Sequence, residues 1–202
     1  SSLTGISRGI TAFSNEILLN SQNTFDFTDG YKFSKTFSGY VTYEAFGAVG
    51  DGKTDDTEAI QTALHYAEDN KLPLYIPAGN YLVSKTISTY TRGNDSDKQS
   101  KVLNIYGSGM STVFTTAPNF EGDFVFHIDV KAEQPRMLWV HDFAINLTVD
   151  VSGIYFREIG MKSVVENLWT TFAYLKKETD TTVRAGVYCD NSVVTSFRRI
   201  KV

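Results

Sequence analysis

The chain has 202 residues, with 19 Lys and Arg against 23 Asp and Glu and a formal net charge of -4. That length suits one domain with a sizeable core. The charge gives no electrostatic reason to expect nucleic acid or an anionic membrane as partner, although it fits a protein that stays soluble near acidic polysaccharide. The single cysteine, Cys189, excludes an intrachain disulfide and is expected to be a buried apolar thiol; no run of about 18 apolar residues offers a transmembrane helix.

Residues 1–40 form a leader rich in Ser, Thr, Asn and Gly, with isolated apolar positions such as Ile10, Phe13, Leu18, Phe25 and Phe33. Its start lacks the basic-then-apolar pattern of a secretion signal. With no initiator Met, the sequence is expected to be a processed or trimmed piece. A segment this polar packs on a neighbour or on other copies of the chain. Within it, Asn15–Leu19 is expected as a short helix, and Thr24–Phe27 and Lys32–Phe37 as short strands.

Val41–Val49 reads as a strand closed by Gly50-Asp51-Gly52. A helix then starts near Thr54, with Asp55 and Glu58 spaced as in a capping box, and Ala59, Ile60, Ala63, Leu64 and Ala67 form its apolar stripe to an end near Asn70. Leu74-Tyr75-Ile76 resumes as a strand, Pro77-Ala78-Gly79-Asn80 turns, and Tyr81-Leu82-Val83 is extended again. The polar segment Thr89–Ser100 is expected to protrude. From Val102 onward only strands and turns are predicted.

Three glycines, Gly122, Gly153 and Gly186, each precede an apolar triplet and lie 31 and 33 residues apart. A second strand follows each: Leu138–Phe143, Ser163–Leu168 and Ser192–Phe197, the last two sharing Ser-Val-Val. Strand–turn repeats of this period indicate a solenoid, in which no unit buries its apolar side chains alone and parallel strands stack about 4.8 Å apart. A β-sandwich or meander explains the alternation but not the echo. The open end of such a spiral exposes strand edges, and the helix is placed to cover it. The last residues, Arg198 to Val202, carry no such cover, so the natural protein is expected to continue past Val202.

The run Phe46-Gly47-Ala48-Val49-Gly50-Asp51-Gly52-Lys53-Thr54-Asp55-Asp56-Thr57-Glu58-Ala59-Ile60 resembles the opening motif of the pectate-lyase-like superfamily, and Tyr75–Tyr81 resembles its partner motif. The resemblance implies a mostly β protein: a right-handed, single-stranded parallel β-helix with an N-terminal capping α-helix, preceded by the leader. It divides the chain into residues 1–40, a virion-attachment or intersubunit segment, and residues 41–202, the cap and first coils. The family contains phage tailspikes, capsule depolymerases and polygalacturonase-like enzymes. Gly47, Gly50, Asp51, Gly52, Asp55, Asp56, Pro77 and Gly79 are then structural residues, with the glycines supplying turns and Asp51, Asp55, Asp56 and Glu58 placing negative charge at the helix N-terminus.

No cofactor is expected. Calcium is the sharper reading of the acidic cluster, but its spacing is not that of an EF-hand. Glycoside hydrolysis requires two carboxylates, and adjacent coils can supply them. The candidates are Asp142, Glu158, Glu166 and Asp190, with His127 and Arg198 as candidate sugar contacts. Glycine alignment stacks His127, Glu158 and Asn191; strand alignment stacks Asp142, Asn167 and Ser196. No column pairs two carboxylates, so the site is expected beyond Val202 or between subunits. His141 is a further candidate acid or base, and Trp139, Trp169 and the tyrosines can stack on sugars. The resemblance implies a homotrimeric tailspike on a virion tail, with phage tail or baseplate proteins and bacterial capsule or lipopolysaccharide as partners. The alternatives are a non-catalytic spike of the same fold and a secreted, monomeric polysaccharide enzyme.

Overall fold

A computed structural model describes residues 24–26, 32–34, 40–90, 102–129, 137–159, 163–173, 184–190 and 196–202. Strands β1 (Thr24–Asp26) and β2 (Lys32–Ser34) pair antiparallel, in the two places where the leader sequence predicts strands. The expected helix at Asn15–Leu19 and most of the loop after Thr89 lie outside the described residues.

The rest winds as parallel strands. In chain order these are β3 (Val41–Thr42), β4 (Asp51–Asp55), helix α1 (Thr57–Asn70), β5 (Leu74–Tyr75), β6 (Gly79–Ser88), β7 (Val102–Tyr106), β8 (Thr112–Asp129), β9 (Met137–Leu147), β10 (Ser152–Arg157), β11 (Val164–Phe172), β12 (Val187–Asp190) and β13 (Ser196–Lys201). Three parallel faces result. Face A stacks β3, β5, β7 and the starts of β9, β11 and β13. Face B stacks β4, the starts of β6 and β8, and the ends of β9 and β11. Face C stacks the ends of β6 and β8 with β10 and β12. The chain is therefore a parallel β-helix, in which each strand pairs with the coil before or after its own. Side chains alternate, and the inward set (Leu74, Ile105, Val140 and Val165 on face A; Tyr81, Phe114 and Ile145 on face B; Phe126, Ile154 and Phe156 on face C) forms one continuous core.

The helix begins at Thr57, three residues later than the sequence suggests, because Asp51 and Asp56 serve the backbone before it. Asp51 accepts the amides of Lys53 (2.8 Å) and Thr54 (2.7 Å), closing the Gly50–Gly52 turn and holding its carboxyl below the usual range. Asp56 is buried and turns back to accept the amides of Val49 (2.7 Å) and Gly50 (3.1 Å). Asp55 accepts the Thr57 amide (3.1 Å) and the hydroxyls of Thr57 and Ser84, Glu58 is exposed, and the N-cap residue is Asp56, which makes no side-chain cap, so Asp55 and Glu58 do not form the expected capping box. Val41–Val49 is extended only at Val41–Thr42; a 3-10 turn at Glu44–Phe46 ends in Gly47 at φ 98°, a left-handed conformation that favours glycine.

Helix α1 buries Ile60, Ala63, Leu64 and Ala67 against the first coil. It also replaces a missing strand. Thr57 Oγ1 accepts the amide of Ser84 (2.8 Å), Gln61 Oε1 that of Ser88 (2.8 Å) and Glu68 Oε2 that of Tyr90 (3.0 Å); Gln61 Nε2 donates to the Ser88 carbonyl (2.7 Å). These are edge groups of β6 and the residues just after it, which would otherwise be orphaned. The helix ends at Asn70, as predicted, with Lys71 left-handed at φ 56°.

Three expectations require correction. Thr89 is not in a protruding loop: it is buried, and its hydroxyl accepts the Asp129 amide at 2.9 Å. Cys189 is exposed rather than buried, because β12 has no further strand stacked on it among the described residues. The repeat alignment is right for Gly153 and Gly186, which share a position, but Gly153 lies opposite Val125 and not Gly122. Between β6 and β8 the register jumps from Lys85↔Glu121 to Ile87↔Phe126, and the extra residues form a bulge. Gly122 sits in it at φ 125°, where a Cβ would fall 2.1 Å from Thr86 Oγ1. Gly122 is therefore a bulge glycine, not the start of a unit.

Candidate functional site

The outward side chains of face A form an unbroken column along the axis: Thr42, Tyr75, Tyr106, His141, Glu166 and Arg198, each opposite the next on successive coils. Beside it runs a second column, Asn104, Trp139, Val164 and Ser196. The rings interact along the first column. Tyr40 meets Tyr75 edge-on (5.6 Å), Tyr75 tilts onto Tyr106 (5.1 Å), and Tyr106 stacks on His141 (5.4 Å, 12°). Trp139, 47% exposed, stacks on His141 from within the same strand (4.3 Å, 28°). Partial burial, then the neighbouring Tyr40 and Tyr75, push the Tyr106 hydroxyl above its ordinary value, so it stays a neutral donor.

At the end of this face the strands bend into face B. Asp142, Asn167 and Arg199 occupy the bend on consecutive coils, all left-handed at φ 62°, 51° and 50°. One coil earlier the position is Gly107, where a Cβ would lie 2.5 Å from the Asp142 carbonyl oxygen. The crowding accounts for that glycine, and short polar side chains suit the next two positions because they tolerate this conformation. Asn167 Nδ2 donates to Asp142 Oδ1 (2.8 Å), tying two bends together.

Two of the candidate carboxylates meet here. Asp142 and Glu166 come from neighbouring coils, with Arg198 opposite Glu166. All four of their oxygens are engaged. Asp142 Oδ2 is 2.6 Å from His141 Nδ1 and its Oδ1 accepts from Asn167; Glu166 Oε1 accepts from Trp139 Nε1 (3.1 Å) and its Oε2 from Arg199 Nη2 (3.3 Å). So disposed, they orient the indole, the imidazole and the bend.

The other candidates lie at face C. His127 is opposite Tyr155, not Glu158, and Tyr155 is opposite Tyr188. His127, Tyr155 and Tyr188 follow one another along the axis with the Phe124 ring beside them, and burial, outweighing the nearby Asp129, pulls the His127 imidazole below its ordinary value. Asp190 accepts from the Tyr155 hydroxyl (3.2 Å) and lies opposite Arg157; Glu158 is on the following turn at φ 55°, its amide donating to the Asp190 carbonyl (2.9 Å). Likewise Ser196 is opposite Val164, so the partner of Asn167 is Arg199 and not Ser196. The Ser192–Val194 echo falls outside the described residues. Among the described residues no group of three or more His, Cys, Asp or Glu side chains is disposed to hold a metal. Sequence reasoning does not single out Tyr75, Tyr106 or Asn104. Each is an outward position of a short apolar strand, a signal that becomes legible only once the face A register is fixed.

The parallel pairing of successive coils defines the class of the molecule, a parallel β-helix with a polar and aromatic flank. The chain belongs to the Rhamnogalacturonase A/epimerase, pectate lyase-like family, whose model matches residues 41–186. A pre-neck appendage protein of Bacillus phage B103 is 47% identical over 47 residues, which is 23% of this chain and 5% of that protein. The non-secreted LysM effector LysM19 of Penicillium expansum is 31% identical over 91 residues, 45% of this chain and 6% of that one. The match thus spans only 5–6% of the length of either relative. Among solved structures, Pantoea stewartii WceF, described as a glycan biofilm modifying enzyme with a bacteriophage tailspike-like parallel β-helix fold, superposes with a TM-score of 0.50 at 15% identity, covering 88% of this chain and 34% of its own. The Agl-KA catalytic domain gives 0.51 at 18% identity, over 78% and 28%. At these identities the likeness concerns the fold.

Proposed function

We propose that this chain is the N-terminal part of a tailspike-type protein that binds bacterial surface polysaccharide, capsule or lipopolysaccharide, along face A. The observation that carries the reading is the outward column from Tyr75 to Arg198, flanked by the exposed Trp139. It sets ring systems and hydrogen-bonding groups about one strand spacing apart along a straight axis, which suits an extended glycan lying along the solenoid. The fold likeness to WceF and the match to a phage appendage protein support the same reading. Residues 1–40 would attach the spike to a phage tail or baseplate, and the spike would be a homotrimer on the virion.

In full length the protein would also depolymerise the polymer. Its catalytic carboxylates would lie beyond Val202 or between subunits, because no strand column among the described residues pairs two carboxylates on successive coils. Full-length protein titrated with its host polysaccharide should lose about tenfold in affinity on Trp139→Ala, roughly the value of one aromatic contact. Unchanged binding would sink the reading. Release of reducing ends would mark hydrolysis, a rise in absorbance near 235 nm elimination, and neither would leave a binding spike. Light scattering separates the trimer from a secreted monomeric enzyme.

A further inference from the structure

Two polar atoms beside Trp139 are buried and lack a hydrogen-bond partner: His141 Nε2 and Asn104 Oδ1. They sit on adjacent coils of face A, Asn104 directly opposite Trp139 and His141 two residues further along the same strand as the indole. His141 Nδ1 lies 2.6 Å from a carboxylate oxygen of Asp142, so Nδ1 holds a proton, and in the neutral ring Nε2 carries a lone pair. Both orphans are therefore acceptors, and buried acceptors without donors are costly. The imidazole is held between the rings of Tyr106 and Trp139, and only Trp139 is substantially exposed. The indole is in turn fastened by its own N–H to Glu166, a single exposed hydrogen bond.

We infer that Trp139 is a displaceable cover over a hydroxyl-recognising pair, and that the ligand is a neutral sugar residue whose hydroxyls donate to His141 Nε2 and Asn104 Oδ1. Two acceptors call for two donors, and neighbouring ring hydroxyls supply them. A carboxylate group supplies none. In the bound state the indole leaves the imidazole and lies on the sugar, exchanging one stacking surface for another. Asp142 is the positioning residue that fixes the tautomer. This inference rests on the polysaccharide-binding reading above and assigns its ligand chemistry.

The test uses the full-length protein carrying Trp169→Phe, so that within residues 1–202 emission reports Trp139 alone. The probes are methyl glycosides of glucose, galactose, mannose and rhamnose, with sodium galacturonate as the acidic comparison. A neutral glycoside should shift the emission at concentrations where galacturonate does not. His141→Asn, which keeps the donor toward Asp142 but loses the Nε2 acceptor, and Asn104→Leu should each weaken that glycoside at least tenfold without moving the thermal midpoint by more than a few degrees. Separately, Trp139→Ala should speed carbethoxylation of His141 by diethyl pyrocarbonate at least tenfold, read by peptide mass, with His65 and His127 unchanged. If a sugar shifts the emission but both variants bind it as the parent does, the hydroxyl pair is refuted and the polysaccharide reading stands. The pair is refuted in the same way if galacturonate is preferred or if His141 reacts no faster in Trp139→Ala. If none of these sugars reaches Trp139, both readings fall.

Discussion

Asp56 shows how a single carboxylate sets the opening of the solenoid. It is buried, carries the Val49 and Gly50 amides, and stands where a helix-capping side chain would stand without capping the helix. Asp56→Ala leaves both amides unpaired and should cost about 2–3 kcal/mol, read from the urea midpoint. The bend residue Asn167 makes a second case. Asn167→Ala loses the bond to Asp142 and forces a left-handed alanine, for about 1–3 kcal/mol, and Asn167→Gly should recover the backbone part of that loss. Titration adds a third. Burial lowers the His127 pKa in the folded state, so the unfolded chain binds the extra proton. Its contribution is complete above about pH 6.5 and is lost as pH falls through that value toward the folded one. A melting-temperature series should decline over that window in the parent and less steeply in His127→Phe. At lower pH, Asp51 and Asp55 act in the same direction. Backbone amides lower Asp51; for Asp55, burial pushes up but hydrogen bonds from Ser84 and Thr57 outweigh it. The stability they confer is present above the ordinary carboxylate range and is lost below it. Asp56, raised by burial, opposes them.

Among the elements, α1 is the most legible from sequence and yet is understood from it only by half. Its apolar stripe at Ile60, Ala63, Leu64 and Ala67 announces an amphipathic helix over one end, and that is where it lies. Leu64→Ala should lower stability by about 2–5 kcal/mol, measured by thermal or chemical unfolding. What the stripe cannot disclose is the polar work of Thr57, Gln61 and Glu68. Periodicity reports which side chains avoid water, not which ones stand in for a peptide group. Gln61→Leu keeps the bulk but strands the Ser88 amide, and should accelerate amide exchange at Ser88 well before the rest of β6 opens. The opening motif is legible for a related reason. Gly50, Gly52 and Gly79 are packed so closely around Tyr81 and Asn80 that the chain tolerates little else, and such tight spots leave a recognisable spelling.

For the molecule as a whole, strand composition and the glycine period reveal a solenoid, while the register along it stays hidden. Gly153 and Gly186 align because their units are of like length. Gly122 misleads because β8 carries a bulge against β6, and a bulge leaves no mark in a period count. The candidate site suffers from the same slip: the glycine count matches His127 with Glu158, and the true face A column from Tyr75 to Arg198 escapes it. Cohesion between coils has a measurable counterpart. Phe114 packs against the rings of Tyr43, Tyr81, Phe126 and Phe143, which come from β6, β8, β9 and the segment ahead of the helix. Phe114→Ala should cost about 3–5 kcal/mol and loosen amide protection on coils to either side, not only its own.

The glutamine clamp on Ser88 makes the two ends of the stack unlike. A side-chain amide offers both an N–H and a C=O, as a peptide unit does, so Gln61 closes the first rung of face C with a mimic of a strand. Recruitment of a stray strand onto Ser88 during misfolding is thereby opposed, because the groups such a strand would need are already taken by the helix.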